Sequence, residues 1–100
     1  MLNLLFVYGT LRRAFDNEYA RLLRASADFE REAAVRGRLK ALGPHTAYVF
    51  DGNEQVRGEL YRLREPEPTL AALDAYEGEE YERAVVEVEG SPAWIYRLRT

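Results

Sequence analysis

Leu2 to Tyr8 is an apolar run that stops at Gly9, the pattern of a strand buried on both faces and set centrally in a sheet. Beyond it, Tyr19, Leu22 and Leu23 recur at helical spacing behind Asp16 and Asn17, either of which suits a helix N-cap, and the pattern fades before Asp28. From Ala33 to Lys40 the chain alternates: Ala33, Val35, Gly37 and Leu39 fall on one side, and Ala34, Arg36, Arg38 and Lys40 on the other. That predicts a half-buried strand. Gly43-Pro44 breaks it, Thr46 to Phe50 forms another short strand, and Asp51-Gly52-Asn53 signals a turn into Val56 to Leu63, so these last two segments are expected to pair as a hairpin. In the second of them Gly58 marks a bulge or a close approach by another group.

Pro66 and Pro68 suit a helix start, and Leu70, Leu73 and Tyr76 follow helical spacing up to Gly78. Ala84, Val86 and Val88 then alternate with Val85, Glu87 and Glu89. After a Gly90-Ser91-Pro92 turn, Trp94, Tyr96 and Leu98 share a face, which predicts a terminal hairpin. The order strand, helix, three strands, helix, two strands gives an α+β domain spanning residues 1–100. Its six short strands are expected to form a small, mostly antiparallel β-barrel flanked by two short helices. Such a barrel is too narrow for a channel, which puts any ligand at its rim.

One hundred residues can close one hydrophobic core but hardly two, and 47% hydrophobic with 31% charged residues is a globular composition. The absence of cysteine removes disulfides and thiolate nucleophiles together and is compatible with a reducing compartment, so a cytoplasmic location is expected. The first apolar run is one strand long, with no basic stretch before it and no small-residue cleavage site behind it, so it is not expected to act as a signal peptide. No window approaches the ~20 apolar residues of a membrane span. A net charge of -3 gives no electrostatic footprint for nucleic acid, and the scattered arginines read as surface charge.

Several chemistries close at once. His45 is the only histidine, and its place beside Gly43-Pro44 suggests a surface loop, not a catalytic triad. There is no cluster with metal-ligand spacing, and the Tyr8-Gly9-Thr10-Leu11 turn lacks the repeated glycines of a nucleotide loop, so neither metal nor cofactor is expected. Two features remain. A buried strand ending in Gly9 and continuing through Thr10 and Leu11 can aim successive N–H groups into a concavity that binds an anion or a polarised carbonyl, although most strand-glycine turns are only turns. Glu77, seven residues after Leu70 and four after Leu73, shares the core-facing stripe of the second helix. A desolvated carboxylate there would titrate near neutrality, as an acid/base must; the alternative is a frayed helix end with Glu77 in water beside Glu79 and Glu80. Tyr8, Tyr61, Tyr76, Tyr81 and Tyr96 can line a pocket or fill the core. Arg83, two residues beyond Tyr81, can anchor Glu77, a substrate carboxylate or a surface acid.

Phe6-Val7-Tyr8-Gly9-Thr10-Leu11, Gly58-Glu59-Leu60-Tyr61, Leu73-Asp74-Ala75-Tyr76-Glu77-Gly78 with Tyr81-Glu82-Arg83, and Ala93-Trp94-Ile95-Tyr96 follow one another in that order. In this the chain resembles the gamma-glutamylcyclotransferase-like family, nearest the gamma-glutamylamine cyclotransferase branch. The resemblance implies that the turn Tyr8 to Leu11 holds a glutamyl moiety through backbone groups and that Glu77 is the acid/base; Tyr81 and Arg83 are expected as further substrate-binding positions beside them. It implies a small-molecule γ-glutamyl substrate, no cofactor, neither nucleic acid nor membrane as a partner, and allows a homodimer. The implied reaction is intramolecular: the substrate's α-amine attacks its own γ-carbonyl, giving 5-oxoproline and a free amine or amino acid. Two departures stand out: Gly43-Pro44-His45 replaces the family's usual tyrosine-proline pair, and the sequence stops soon after Tyr96, which is expected to leave the site more open. A non-catalytic small-ligand-binding or interaction module on the same fold is the rival, and RNA binding by a small barrel is a third possibility that would require a contiguous basic face.

Overall fold

The computed structural model describes residues 2–9, 11–42 and 45–99; Thr10 and the Gly43-Pro44 break lie outside them. The elements run β1 (Leu4–Val7), α1 (Glu18–Ser26), β2 (Ala27–Leu42), β3 (His45–Leu63), α2 (Pro66–Glu77), β4 (Tyr81–Val88) and β5 (Ser91–Leu98). Asn17 is the N-cap of α1: its side-chain oxygen accepts the N–H groups of Tyr19 and Ala20 at 3.1 and 2.8 Å, satisfying donors that the helix cannot. α2 opens on Pro66 and closes at Gly78, whose φ of 79° is readily open only to glycine and whose N–H returns to the Asp74 carbonyl. The hairpin between β4 and β5 turns at Glu89 and Gly90, both with positive φ. That is the handedness a two-residue connection needs to match strand twist.

The five strands lie in the order β2-β3-β1-β5-β4. One feature differs from the mostly antiparallel arrangement expected of the sequence. The sheet is mixed, because β5 runs parallel to β1 and, at Tyr48↔Arg97, parallel to β3. Long β3 pairs with β1 through residues 59–62 and with β5 at Tyr48, and Arg31 of β2 forms an ion pair with Glu89 of the β4–β5 turn at 3.3 Å. Hydrophobic alternation tells which face of a strand is buried, not which neighbour it pairs with or in which direction.

The middle of the chain also differs. β2 starts at Ala27, directly after α1, and pairs with a single long β3 from Leu42↔His45 to Ala27↔Leu63. The hairpin is therefore β2 with β3, not 46–50 with 56–63. The Asp51-Gly52-Asn53 signal produces an excursion within β3: Gly37 pairs with Glu54 and Arg38 with Val49, leaving residues 50–53 outside the ladder. Past this shift Leu39 is 43% exposed, contrary to its expected inward side.

β1 is buried on both faces. Leu5 and Val7 join Leu11, Leu23, Tyr61, Leu63, Leu70, Leu73 and Tyr96 in a core beneath the two helices, with Tyr19 and Tyr76 stacked at 4.3 Å between α1 and α2. Phe6 packs on the other face with Val35, Tyr48, Val56, Leu60, Val88 and Ile95. Gly58 answers the close approach read from the sequence, since a Cβ there would sit 2.2 Å from the Val7 carbonyl oxygen and 2.7 Å from Phe6 Cζ.

Candidate active site

β1 carries the chain to Tyr8 and Gly9 at the edge of the core. The turn that follows is fixed locally, because the Gly9 carbonyl accepts the Arg12 backbone N–H at 3.2 Å and Arg12 Nε at 3.0 Å. Leu11 is 3% exposed and packs in the core under the helices, so its side chain anchors the turn and only its backbone can meet a ligand. Tyr8 is likewise committed to the fold. Its hydroxyl donates to the Tyr96 carbonyl at 2.7 Å and accepts the Tyr48 N–H at 2.9 Å, tying β1 to β5 and β3.

α2 runs through Glu77 without fraying, and Glu77 is half-buried where Glu79 and Glu80 are exposed. Loss of water around its carboxyl pushes the pKa up to about 7. The charge is felt by its neighbours. Burial is the main cause of the raised Tyr8, Tyr81 and Tyr96 phenols, and the Glu77 carboxylate contributes to each. The residue at the end of β1, the last residue of α2, the first of β4 and the middle of β5 therefore share one electrostatic neighbourhood.

Arg83 takes neither Glu77 nor a free position. It pairs with Asp74 of α2 at 3.3 Å and lies over the Trp94 ring at 4.4 Å, while Tyr96 donates its hydroxyl to the same Asp74 oxygen at 2.7 Å. Asp74, one helical turn before Glu77, thus fastens the end of α2 to β4 and β5. Sequence reasoning gave Asp74 no role. Its spacing, four residues after the buried Leu70, was the available signal.

A recess of about 320 Å³ lies elsewhere, lined by Arg12, Glu32, Gln55, Arg57, Glu59 and Glu89 among others, with neither Glu77, Tyr81 nor Arg83 in its wall. Its acids are paired with arginines, Glu32 and Glu59 with Arg13 and Glu89 with Arg31. Among the described residues no group of three or more acidic or histidine side chains is placed to hold a metal ion, and no helix is long and apolar enough to cross a membrane.

Residues 5–100 match the family described as gamma-glutamyl cyclotransferase, AIG2-like. The chain belongs to the gamma-glutamylcyclotransferase family. Among its relatives, the gamma-glutamylcyclotransferase family protein YtfP of Escherichia coli K12 is 37% identical over 98 residues, covering 92% of this chain and 79% of that protein. The crystal structure of an AIG2-like protein from Mus musculus superposes with a TM-score of 0.79 at 25% identity, covering 99% of this chain and 78% of its own. YkqA of Bacillus subtilis reaches a TM-score of 0.80 at 33% identity; 99% of this chain matches only 36% of that longer one. The protein is a gamma-glutamylcyclotransferase-like enzyme with the family's small α+β fold of two helices and a mixed sheet.

Proposed function

We propose that this enzyme converts a γ-glutamyl amine or γ-glutamyl amino acid to 5-oxoproline and the free amine, with Glu77 as the general acid/base. The observation that carries the reading is the half-buried Glu77 carboxyl at the end of α2, pushed up to about 7 by loss of water. A group with that affinity can both accept and return a proton near neutral pH. The attacking α-amine and the γ-carbonyl belong to one molecule, so the enzyme chiefly holds the cyclising conformer. The nitrogen attacks the carbonyl carbon, Glu77 removes its proton, and the same proton passes to the departing nitrogen as the original amide bond breaks. In this reading the turn after Tyr8 binds the substrate carboxylate or the developing oxyanion through backbone N–H groups. Tyr81, at the start of β4, borders the same space, and Arg83 acts through Asp74 on the helix that carries Glu77.

Incubation with a panel of γ-glutamyl amines, γ-glutamyl dipeptides and glutathione should yield 5-oxoproline, detected by mass spectrometry, from at least one member. A panel that stays intact would favour a binding module.

The titration can be followed directly. In protein labelled with ¹³C at the glutamate side-chain carboxyls, one signal is expected to titrate near pH 7 and to be missing in Glu77→Gln, while turnover falls as that carboxylate is protonated below pH 7. If every glutamate titrates below pH 5, Glu77 is an ordinary solvated carboxylate.

A further inference from the structure

The Gly58-Glu59-Leu60-Tyr61 segment contains a carboxylate that the reaction does not use. Glu59 lies in β3, is 7% exposed, and points to the same side as Tyr61 two residues on. Its Oε1 accepts the backbone N–H of Arg13 at 2.8 Å and the Tyr61 hydroxyl at 3.1 Å, and its Oε2 accepts Arg13 Nε at 3.2 Å. Arg13 in turn lies over the Phe29 ring at 3.9 Å.

A buried charge persists only where its lone pairs are met, and two of the three donors here come from one residue of the loop that follows β1. Arg24 of α1 secures the same loop from its other side, donating to the Phe15 carbonyl at 3.0 Å and to the Arg13 carbonyl at 3.5 Å. The loop is thus held between β3 and α1. Arg13 N–H is spent on Glu59, so it is not a donor for substrate; its role is to fix where the preceding residues sit.

We infer that Glu59 is a positioning residue for substrate binding: by gripping Arg13 through backbone and side chain together, it sets the course of the Gly9-to-Arg13 turn and hence the aim of that turn's N–H groups. The inference rests on the proposed role of the turn in holding the glutamyl moiety. It does not depend on Glu77, because among the described residues the hydrogen bonds of Glu59 go to Arg13 and Tyr61, not to α2. Groups that bind substrate need their own supports, and a displacement of about 1 Å is enough to be felt.

Glu59→Gln tests this with little change of shape. The amide keeps an oxygen for the Arg13 N–H and the Tyr61 hydroxyl, but turns a donor toward Arg13 Nε and loses the charge. Amide hydrogen exchange on the folded protein is expected to speed up at least ~10-fold between residues 9 and 15 while β5 and α2 keep their protection. KM for the γ-glutamyl substrate should rise about 10-fold with kcat changed less than about 3-fold, the signature of lost binding. Arg13→Gln alongside Glu59→Gln removes the donor–donor clash and should recover part of the KM loss. Unchanged exchange in the 9–15 segment would overturn the inference, and so would faster exchange with unaltered KM. Should the wild-type enzyme turn over no member of the panel, the cyclotransferase reading fails, and the exchange data still decide whether Glu59 holds the turn.

Discussion

Glu77→Gln is expected to stop turnover and leave the protein better folded. Glutamine keeps the outline and the hydrogen-bonding reach of glutamate, but it cannot carry a proton between two nitrogens. A positioned acid/base typically contributes ~10²–10⁴-fold in rate, and the loss should fall in kcat with KM little changed. Stability moves the other way. Folding raises the pKa of this carboxyl from 4.5 to about 7, so the folded state favours the protonated form. The stability it contributes is whole below pH 4.5 and is lost as pH rises through 7. Above pH 8 the folded protein carries a poorly hydrated charge at a cost on the order of 1–3 kcal/mol, which the neutral amide never incurs. Melting curves of the two proteins should therefore coincide near pH 4 and separate above pH 7, with the variant melting several degrees higher. Wild-type turnover by the variant, or equal melting temperatures at pH 8.5, would return Glu77 to the role of a solvated helix end.

Gly58→Ala should be the most damaging single methyl group in the chain. The added carbon would meet the Val7 carbonyl oxygen at 2.2 Å and Phe6 Cζ at 2.7 Å, distances at which something must move. Phe6 is wholly enclosed in the inner core, and the β1 backbone is paired to β3 from Leu4↔Arg62 to Val7↔Glu59 and to β5 at Leu5↔Trp94. Neither can yield without separating strands. Overpacking of this kind costs about 1–3 kcal/mol, and a backbone clash lies at the upper end. For a chain of this size that lowers Tm by on the order of 10–20 °C in a two-state transition. A melting temperature within two or three degrees of wild type would mean that the sheet accommodates the methyl after all. Because Val7 leads straight into Tyr8 and Gly9, any variant that folds should also bind substrate poorly.

What the sequence disclosed depended on the range of the physics involved. The glycine end and proline start of α2 and the two-faced burial of β1 are set by neighbours within a turn or two and could be read from spacing; the same spacing left the N-cap open between Asp16 and Asn17, and Glu77 open between burial and a frayed, solvated end. Asp51-Gly52-Asn53 misled because the same small polar residues serve a turn or an excursion from a strand, and the choice was made by the distant partner β2. The parallel placement of β5 beside β1 leaves no mark on the alternation of either strand. At the site, Glu77 and the turn stood out as oddities in otherwise regular patterns. Asp74 and Glu59 did not, since a carboxylate in a strand or on a helix looks the same whether it is unpartnered or is bound by Arg83 and Tyr96, or by Arg13 and Tyr61.

The Tyr8 hydroxyl bonds across 88 positions of sequence to Tyr96, and the Trp94 indole reaches 92 positions back to the Leu2 carbonyl. Such contacts repay the entropy of closing nearly the whole chain into a loop only after that loop has closed. During synthesis the first strand can pair with β3 and meet both helices, but it lacks its β5 neighbour until that strand has emerged, and the Tyr8–Tyr96 bond cannot form before then. A chain made only as far as β4 therefore exposes the β5 side of β1, the apolar edge that invites aggregation.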